Sequence, residues 1–160
     1  MLAVGRTSNA DTLKVENAGV ELNERGFIQT NDYLQSSQKH IYAAGDVSGH
    51  LQFTHAAGYE AGIVFRNALL MPHPFKKKID TDVIPWTTFT DTEVASCGMN
   101  ERAAIKEGLN YTIYKFQHEH VDRALAEHEA HGFTKLVLGK KDKLLGVQIV
   151  GHNAGELIHE

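Results

Sequence analysis

An acidic residue closing an apolar run holds the most chemistry in this chain. Ser36-Ser37-Gln38-Lys39-His40 leads into Ile41-Tyr42-Ala43-Ala44, and Gly45-Asp46-Val47 ends the run. Ile41 to Ala44 reads as a short buried strand, followed by a helix from near Thr54. That order predicts Asp46 at the carboxyl end of a strand, where open α/β sheets bind ligands. Gly45 lets a ligand come close to the backbone, and the Asp46 carboxylate offers acceptors to hydroxyl groups. Gly-Asp is also a common turn pair, so the run alone leaves a plain turn open.

Ten histidines raise the question of metal binding. His118 and His120 are two apart and would share a face on a strand. His128 and His131 are three apart and would share one on a helix. Four nitrogens can hold zinc, but the segment is rich in glutamate and reads better as a solvated connection. No metal site is therefore assigned. Cys97, in Ser96-Cys97-Gly98, has no activating base or cation predicted beside it and reads as a small buried side chain. As the only cysteine it can form neither an intramolecular disulfide nor a CxxC pair.

These residues need elements to place them. With 160 residues, 42% of them hydrophobic, the chain suits one or two small globular domains. A net charge of −4 argues against a dedicated nucleic-acid binder, which would show a basic face. No run approaches the ~18 apolar residues of a membrane span, and the opening residues are too short and wrongly ordered for a signal peptide. A cytoplasmic setting fits. Leu2 to Val4 reads as a strand end, Thr12 to Ala18 as a short helix stopped by Gly19. Val20-Glu21-Leu22 and Phe27-Ile28-Gln29 read as a hairpin. Thr54 to Leu70 predicts a helix burying Ala57, Ala61, Val64, Phe65 and Ala68. Met71 to Asp82, with two prolines and Lys76-Lys77-Lys78, predicts a solvated linker.

Beyond it come strand candidates at Thr87-Thr88-Phe89, Glu93-Val94-Ala95 and Tyr111 to Phe116, and a hairpin pair at Phe133 to Leu138 and Leu144 to Val150. A helix is expected from Asn100 to Gly108, opened by Asn100. Another should open at Asn153-Ala154-Gly155-Glu156, which has capping-box spacing. Strands with flanking helices and no βαβ rhythm predict an antiparallel α+β domain. Trp86 and Phe89 read as core or interface anchors.

The I-Y-A-x-G-D run resembles the second flavin-binding motif of the FAD-dependent pyridine nucleotide-disulfide oxidoreductases, and the likeness extends along the chain. Val4-Gly5-Arg6-Thr7-Ser8-Asn9 resembles the family's G-R-x-P-N segment, with serine in place of proline. Gln52-Phe53-Thr54-His55 is similar to the M-L-A-H segment. Ile84 to Ala95 resembles the opening of the interface domain, P-x-x-x-F-T-x-P-E-x-A, with Thr92 in place of proline. Gly132 to Val137, Leu145 to Gly151 and Ala154 to Ile158 resemble its central strands and following helix. Asp122-Arg123-Ala124 is closer to the mercuric-reductase-like branch than to the lipoamide dehydrogenases.

The resemblance implies a cofactor set and an arrangement. Asp46, with Gly45, would hold the ribityl chain of FAD, and Gly5 would approach NAD(P)H. Gln52, Phe53, Thr54 and His55 would set backbone amides at a helix start beside the flavin, where they favour negative charge. His55 itself reads equally as a capping or core-facing residue. The implied organisation is a partial FAD/NAD(P)-binding α/β region over 1–75, a linker over 76–83 and an α+β dimerisation domain over 84–160. That domain would form a homodimer, with no nucleic-acid or membrane partner, and in relatives it completes each active site in trans. In the whole enzyme electrons would pass from NAD(P)H to FAD and on to a cysteine pair or another acceptor.

The chain contains neither the G-x-G-x-x-G fingerprint nor a C-x-x-x-x-C pair, and the H-P-T-x-x-E motif should lie beyond Glu160. Thiol–disulfide exchange needs two sulfurs. The chain therefore reads as a C-terminal part of a longer NAD(P)H oxidoreductase of mercuric reductase or dihydrolipoamide dehydrogenase type, with no catalytic residue assigned and no catalysis expected alone. The other reading is a homodimerising interaction module without a cofactor.

Overall fold

The computed structural model describes residues 3–72 and 74–160 and divides into two compact units, Met1–Thr81 and Asp82–Glu160. The expected strand end at Leu2 to Val4 lies partly outside the described residues; Val4 itself is exposed and in no strand.

The first unit is built mostly from turns. Residues 12–18, expected as one helix, form parts of two 3-10 turns, Ala10–Leu13 and Val15–Ala18, broken at Lys14, which adopts a left-handed conformation. Gly19 closes the second turn at φ 67°. The expected hairpin is reduced to a single antiparallel bridge between Leu22 and Ile28, with Asn23 Oδ1 accepting from the Arg25 and Phe27 amides. Ile41 to Ala44 is extended but is not a strand of a sheet. Its neighbour, around Gln35, gives one bridge to Tyr42, and one bridge cannot build a ladder. The core beneath collects Ala10, Val20, Ile28 and Ala43, with Val15, Ile41 and Val47 packed against it.

Helix α1, Thr54–Phe65, follows and runs into a π turn, Arg66–Leu70. Its buried face differs from the expected one. Ala56, Glu60, Ile63 and Asn67 are inside, while Ala61, Phe65 and Ala68 are exposed. Polar satisfaction decided this. Glu60 and Asn67 each find several partners on the inner side, which compensates the cost of burying them.

Lys76-Lys77-Lys78, expected as a solvated linker, is fastened to this unit. Asn67 accepts from the Lys77 amide and donates to the Lys77 carbonyl, both at 2.8 Å. Lys76, Lys77 and Lys78 lie over the rings of Tyr42, Tyr59 and Tyr33 at 5.3, 5.6 and 5.7 Å. The Lys78 ammonium also pairs with Asp32 at 2.7 Å, holding that carboxyl below its usual range.

The second unit is a five-stranded antiparallel sheet of order β1-β2-β5-β4-β3, from β1 Trp86–Thr88, β2 Val94–Gly98, β3 Thr112–Gln117, β4 Phe133–Leu138 and β5 Leu144–Val150. β2 and β5 lie in register through Ala95 and Ile149, whose side chains meet Ala154 in the core, with Val147 and Ile158 beside them. Helix α2, Glu101–Lys106, starts as expected: Asn100 Oδ1 accepts from the Ala103 amide at 3.0 Å. Helix α3, Asp122–Ala126, falls in the segment read as a connection. Helix α4, Ala154–Leu157, begins where expected but without the capping box. Asn153 is left-handed and caps nothing, and Glu93 Oε2 accepts from the Gly155 amide at 2.9 Å instead.

Candidate cofactor-binding site

The run that opened the sequence becomes a loop on helix α1. Gly45–Ser48 forms a 3-10 turn entered from extended Ala44 and closed by left-handed Gly49. Gly45 has φ 78°, and a Cβ there would stand 3.1 Å from the Ala57 Cβ, so any other residue at this point would be strained and crowded against α1. Asp46, the next residue, turns its side chain outward, 54% exposed.

Arg6 fixes Asp46 from forty residues away. Its Nη1 donates to Asp46 Oδ2 at 2.9 Å and to the Gln52 carbonyl at 3.1 Å. Gly5, Arg6, Asp46 and Gln52 line one cleft of about 630 Å³, with Thr7, Ser8, Asn9 and Thr12 on its wall. Three of the residues expected to bind cofactor, Gly5, Asp46 and Gln52, are thus brought together.

The other four stand apart from that cleft. Gly45 is buried as the first residue of the turn. Phe53 precedes α1 in extended conformation, and Thr54 and His55 open it, both exposed. The Phe53 and His55 rings stack at 5.4 Å. No side chain caps this helix start; the Phe53 amide donates to the Leu51 carbonyl and the Ala57 amide to the Phe53 carbonyl, both at 3.0 Å. A helix start leaves its first amides without partners inside the helix.

Four residues of the site escaped the sequence reading: Arg6, Ser48, His50 and Glu60. Arg6 stood beside Gly5 in a quoted motif without a role. Glu60 carried a readable signal, because it falls four residues after Ala56 and three before Ile63, on one helical stripe. Ser48 and His50 lacked one, since loop contacts have no periodicity.

The histidines do not converge. His118 is buried in a 3-10 turn with Nε2 3.1 Å from Thr134 Oγ1, while His120 is exposed. His128 is left-handed just beyond α3, so it shares no helix face with His131. Among the described residues no group of three or more metal-binding side chains occurs. Cys97 is half-buried, with Sγ 3.8 Å from the Asp82 carbonyl oxygen, and burial followed by the Asp82 charge pushes its thiol pKa up. Both effects disfavour the thiolate a nucleophile needs. Among the described residues, no helix is long and apolar enough to cross a membrane.

The residues suit a polyol and phosphate ligand. An exposed carboxylate accepts from hydroxyls, and a neighbouring guanidinium matches phosphate oxygens; both line the same cleft. Residues 1–61 match the family model described as pyridine nucleotide-disulphide oxidoreductase, and residues 84–160 match its dimerisation domain. The chain is 42% identical over 160 residues to a mercuric reductase of Staphylococcus aureus, covering 99% of this chain and 29% of the relative. It is 39% identical to a dihydrolipoyl dehydrogenase of Buchnera aphidicola, covering all of this chain and 33% of the relative. Among solved structures, the HOCl-induced flavoprotein disulfide reductase RclA of Escherichia coli superposes with TM-score 0.84 at 28% identity, over 98% of this chain and 36% of that one. LpdA of Mycobacterium tuberculosis reaches TM-score 0.90 at 23% identity, over 99% of this chain and 34% of that one, a likeness of fold. The chain spans about a third of the length of the curated relatives it matches.

Proposed function

Because the chain belongs to the pyridine nucleotide-disulphide oxidoreductases, a family using FAD and NAD(P)H, we propose that its first unit forms one wall of an FAD site. In the same reading its second unit pairs two copies of an oxidoreductase of mercuric reductase or dihydrolipoyl dehydrogenase type. The observation behind this is the position of Asp46: exposed, held by Arg6, and lining one cleft with Gly5 and Gln52.

Asp46 would accept hydrogen bonds from the ribityl hydroxyls, with Arg6 setting the carboxylate's orientation. Gln52, Thr54 and His55 would supply amides at the start of α1, whose dipole favours negative charge, while Phe53, whose amide donates to the Leu51 carbonyl, would contribute its place beside them. Gly5 would let the nicotinamide cofactor approach the backbone. FAD, when bound, supplies the hydride-accepting chemistry. No catalytic role is proposed for Asp46 or Cys97, since Cys97 supplies one sulfur where disulfide exchange needs two. Tyr114 and Phe116, exposed on edge strand β3, support the pairing role of the second unit. A single, unpaired cysteine suits a reducing, cytoplasmic compartment.

The test is an FAD titration of the purified chain, followed by flavin fluorescence and the visible spectrum, beside Asp46→Ala. The expected result is binding that weakens at least about tenfold in the variant, as loss of charge-assisted hydrogen bonds implies. A chain that takes up no FAD but sediments as a dimer would favour the interaction-module reading.

A further inference from the structure

Glu60 is fully buried at 0% exposure, in the middle of α1. Its Oε2 accepts the Gly45 N–H at 2.5 Å and lies 3.5 Å from the Ser48 hydroxyl. Its Oε1 lies 3.0 Å from His50 Nδ1. Ser48 Oγ donates to the Gly45 carbonyl at 2.8 Å and lies 3.3 Å from His50 Nδ1, and His50 Nε2 reaches Thr30 Oγ1 at 3.4 Å. One carboxylate thus holds the first peptide of the turn bearing Asp46 and approaches the side chain of its last residue.

Burying a carboxylate is costly unless every oxygen is engaged, and an apolar side chain would continue the Ala56–Ile63 stripe more cheaply. The group that gains from the carboxylate is the Gly45 amide, one peptide away from Asp46. We infer that Glu60, oriented by His50, is the positioning residue of Asp46. It pins the Gly45 peptide so that the carboxylate faces the cleft instead of following the loop. The consequence for cofactor binding rests on the reading of Asp46 above, whereas the hold on Gly45 does not.

The experiment compares the chain with Glu60→Gln and Glu60→Leu. Without cofactor, NMR-detected hydrogen exchange should show Gly45 protected in the chain and in E60Q, whose amide oxygen still accepts. In E60L, Gly45 exchange should rise at least about tenfold while the amides of Ile63 and Val64 keep theirs, as a local opening requires. Unchanged Gly45 protection in E60L overturns the inference. With FAD, E60L should raise the dissociation constant about tenfold and E60Q less than about threefold. In an Asp46→Ala background E60L should add nothing, because residues acting through one another are non-additive. Full additivity also overturns it. A wild-type chain that binds no FAD removes the cofactor role of Asp46, and Gly45 exchange then decides the positioning alone. Should E60L fail to fold, His50→Leu replaces it, altering a ring 30% exposed at the edge of the cluster. Its expected rise in Gly45 exchange is about threefold, and no rise overturns the inference.

Discussion

The guanidinium of Arg6 bridges Asp46, at 2.9 Å, and the Gln52 carbonyl, at 3.1 Å. One side chain thereby ties the Gly5–Asn9 loop to the turn after Ala44 and to the residues before α1. An ion pair this exposed contributes little to folding. Its value lies in where it leaves the carboxylate.

Arg6→Ala should therefore separate stability from binding. The melting temperature is expected to stay within about 4 °C of the parent, since exposed pairs contribute about 0–1 kcal/mol. FAD affinity should fall about threefold to tenfold, and the loss should shrink as salt screens the charge. Thermal unfolding and flavin titration at two salt concentrations check this. A large drop in melting temperature would show that Arg6 serves the fold instead.

Asn67 links α1 to the lysine run. It is 2% exposed and makes two side-chain hydrogen bonds to the Lys77 backbone and a third, at 3.3 Å, to the Tyr33 carbonyl. Asn67→Ala should destabilise the chain by roughly 2–4 kcal/mol, because buried backbone groups lose their partners. Trypsin should then cut at Lys76, Lys77 and Lys78 faster than in the parent. Limited proteolysis with mass mapping tests the local claim, and an unchanged cleavage rate would refute it.

Phe116 and Tyr114 stand two residues apart on β3 and project from the same face, 53% and 58% exposed. Aromatic side chains anchor interfaces, so Phe116→Glu should weaken self-association at least about tenfold while leaving the monomer folded. Sedimentation velocity across a concentration series reads this directly, with circular dichroism as the folding control.

Cys97 gives a pH dependence. Its pKa is raised, first by burial and then by Asp82. The folded chain therefore holds the thiol proton to higher pH than the unfolded chain does. Below the unfolded thiol's pKa, near 8.5, both states are protonated and this contribution to stability is fully present. It is lost as pH rises through the folded value. Alkylation of Cys97 by iodoacetamide should be slower than that of the same cysteine in urea, with its half-rate displaced to higher pH. Equal rates in both states would refute the shift.

The second unit was the more legible half. Phe133–Leu138 and Leu144–Val150 are apolar runs either side of a polar turn, and antiparallel neighbours of that kind pair through local contacts. Asn100 caps α2 because an Asx side chain reaches its own N3 amide, three residues on. The first unit was less legible because its order comes from contacts distant in sequence. Ile41 to Ala44 looks like a strand in isolation, but strand formation is decided by neighbours, and here one bridge to Gln35 is available. The lysine run looked solvated by composition; three tyrosines and Asn67, scattered over the preceding residues, hold it down.

What the amino-acid order carried by itself was the family resemblance and the choice of Asp46 as a candidate ligand, because a glycine followed by a carboxylate after an apolar run is a local pattern with local chemistry. It also set the existence of α1 and of the antiparallel sheet, which follow from periodicity. Tertiary structure alone decided which face of α1 turns inward and which partners Asp46 acquires. Glu60 could be buried because His50, Ser48 and the Gly45 amide converge on it from a loop with no repeat of its own. Arg6 reached Asp46 across forty residues for the same reason: long-range polar contacts depend on where the chain brings two groups, not on the spacing between them.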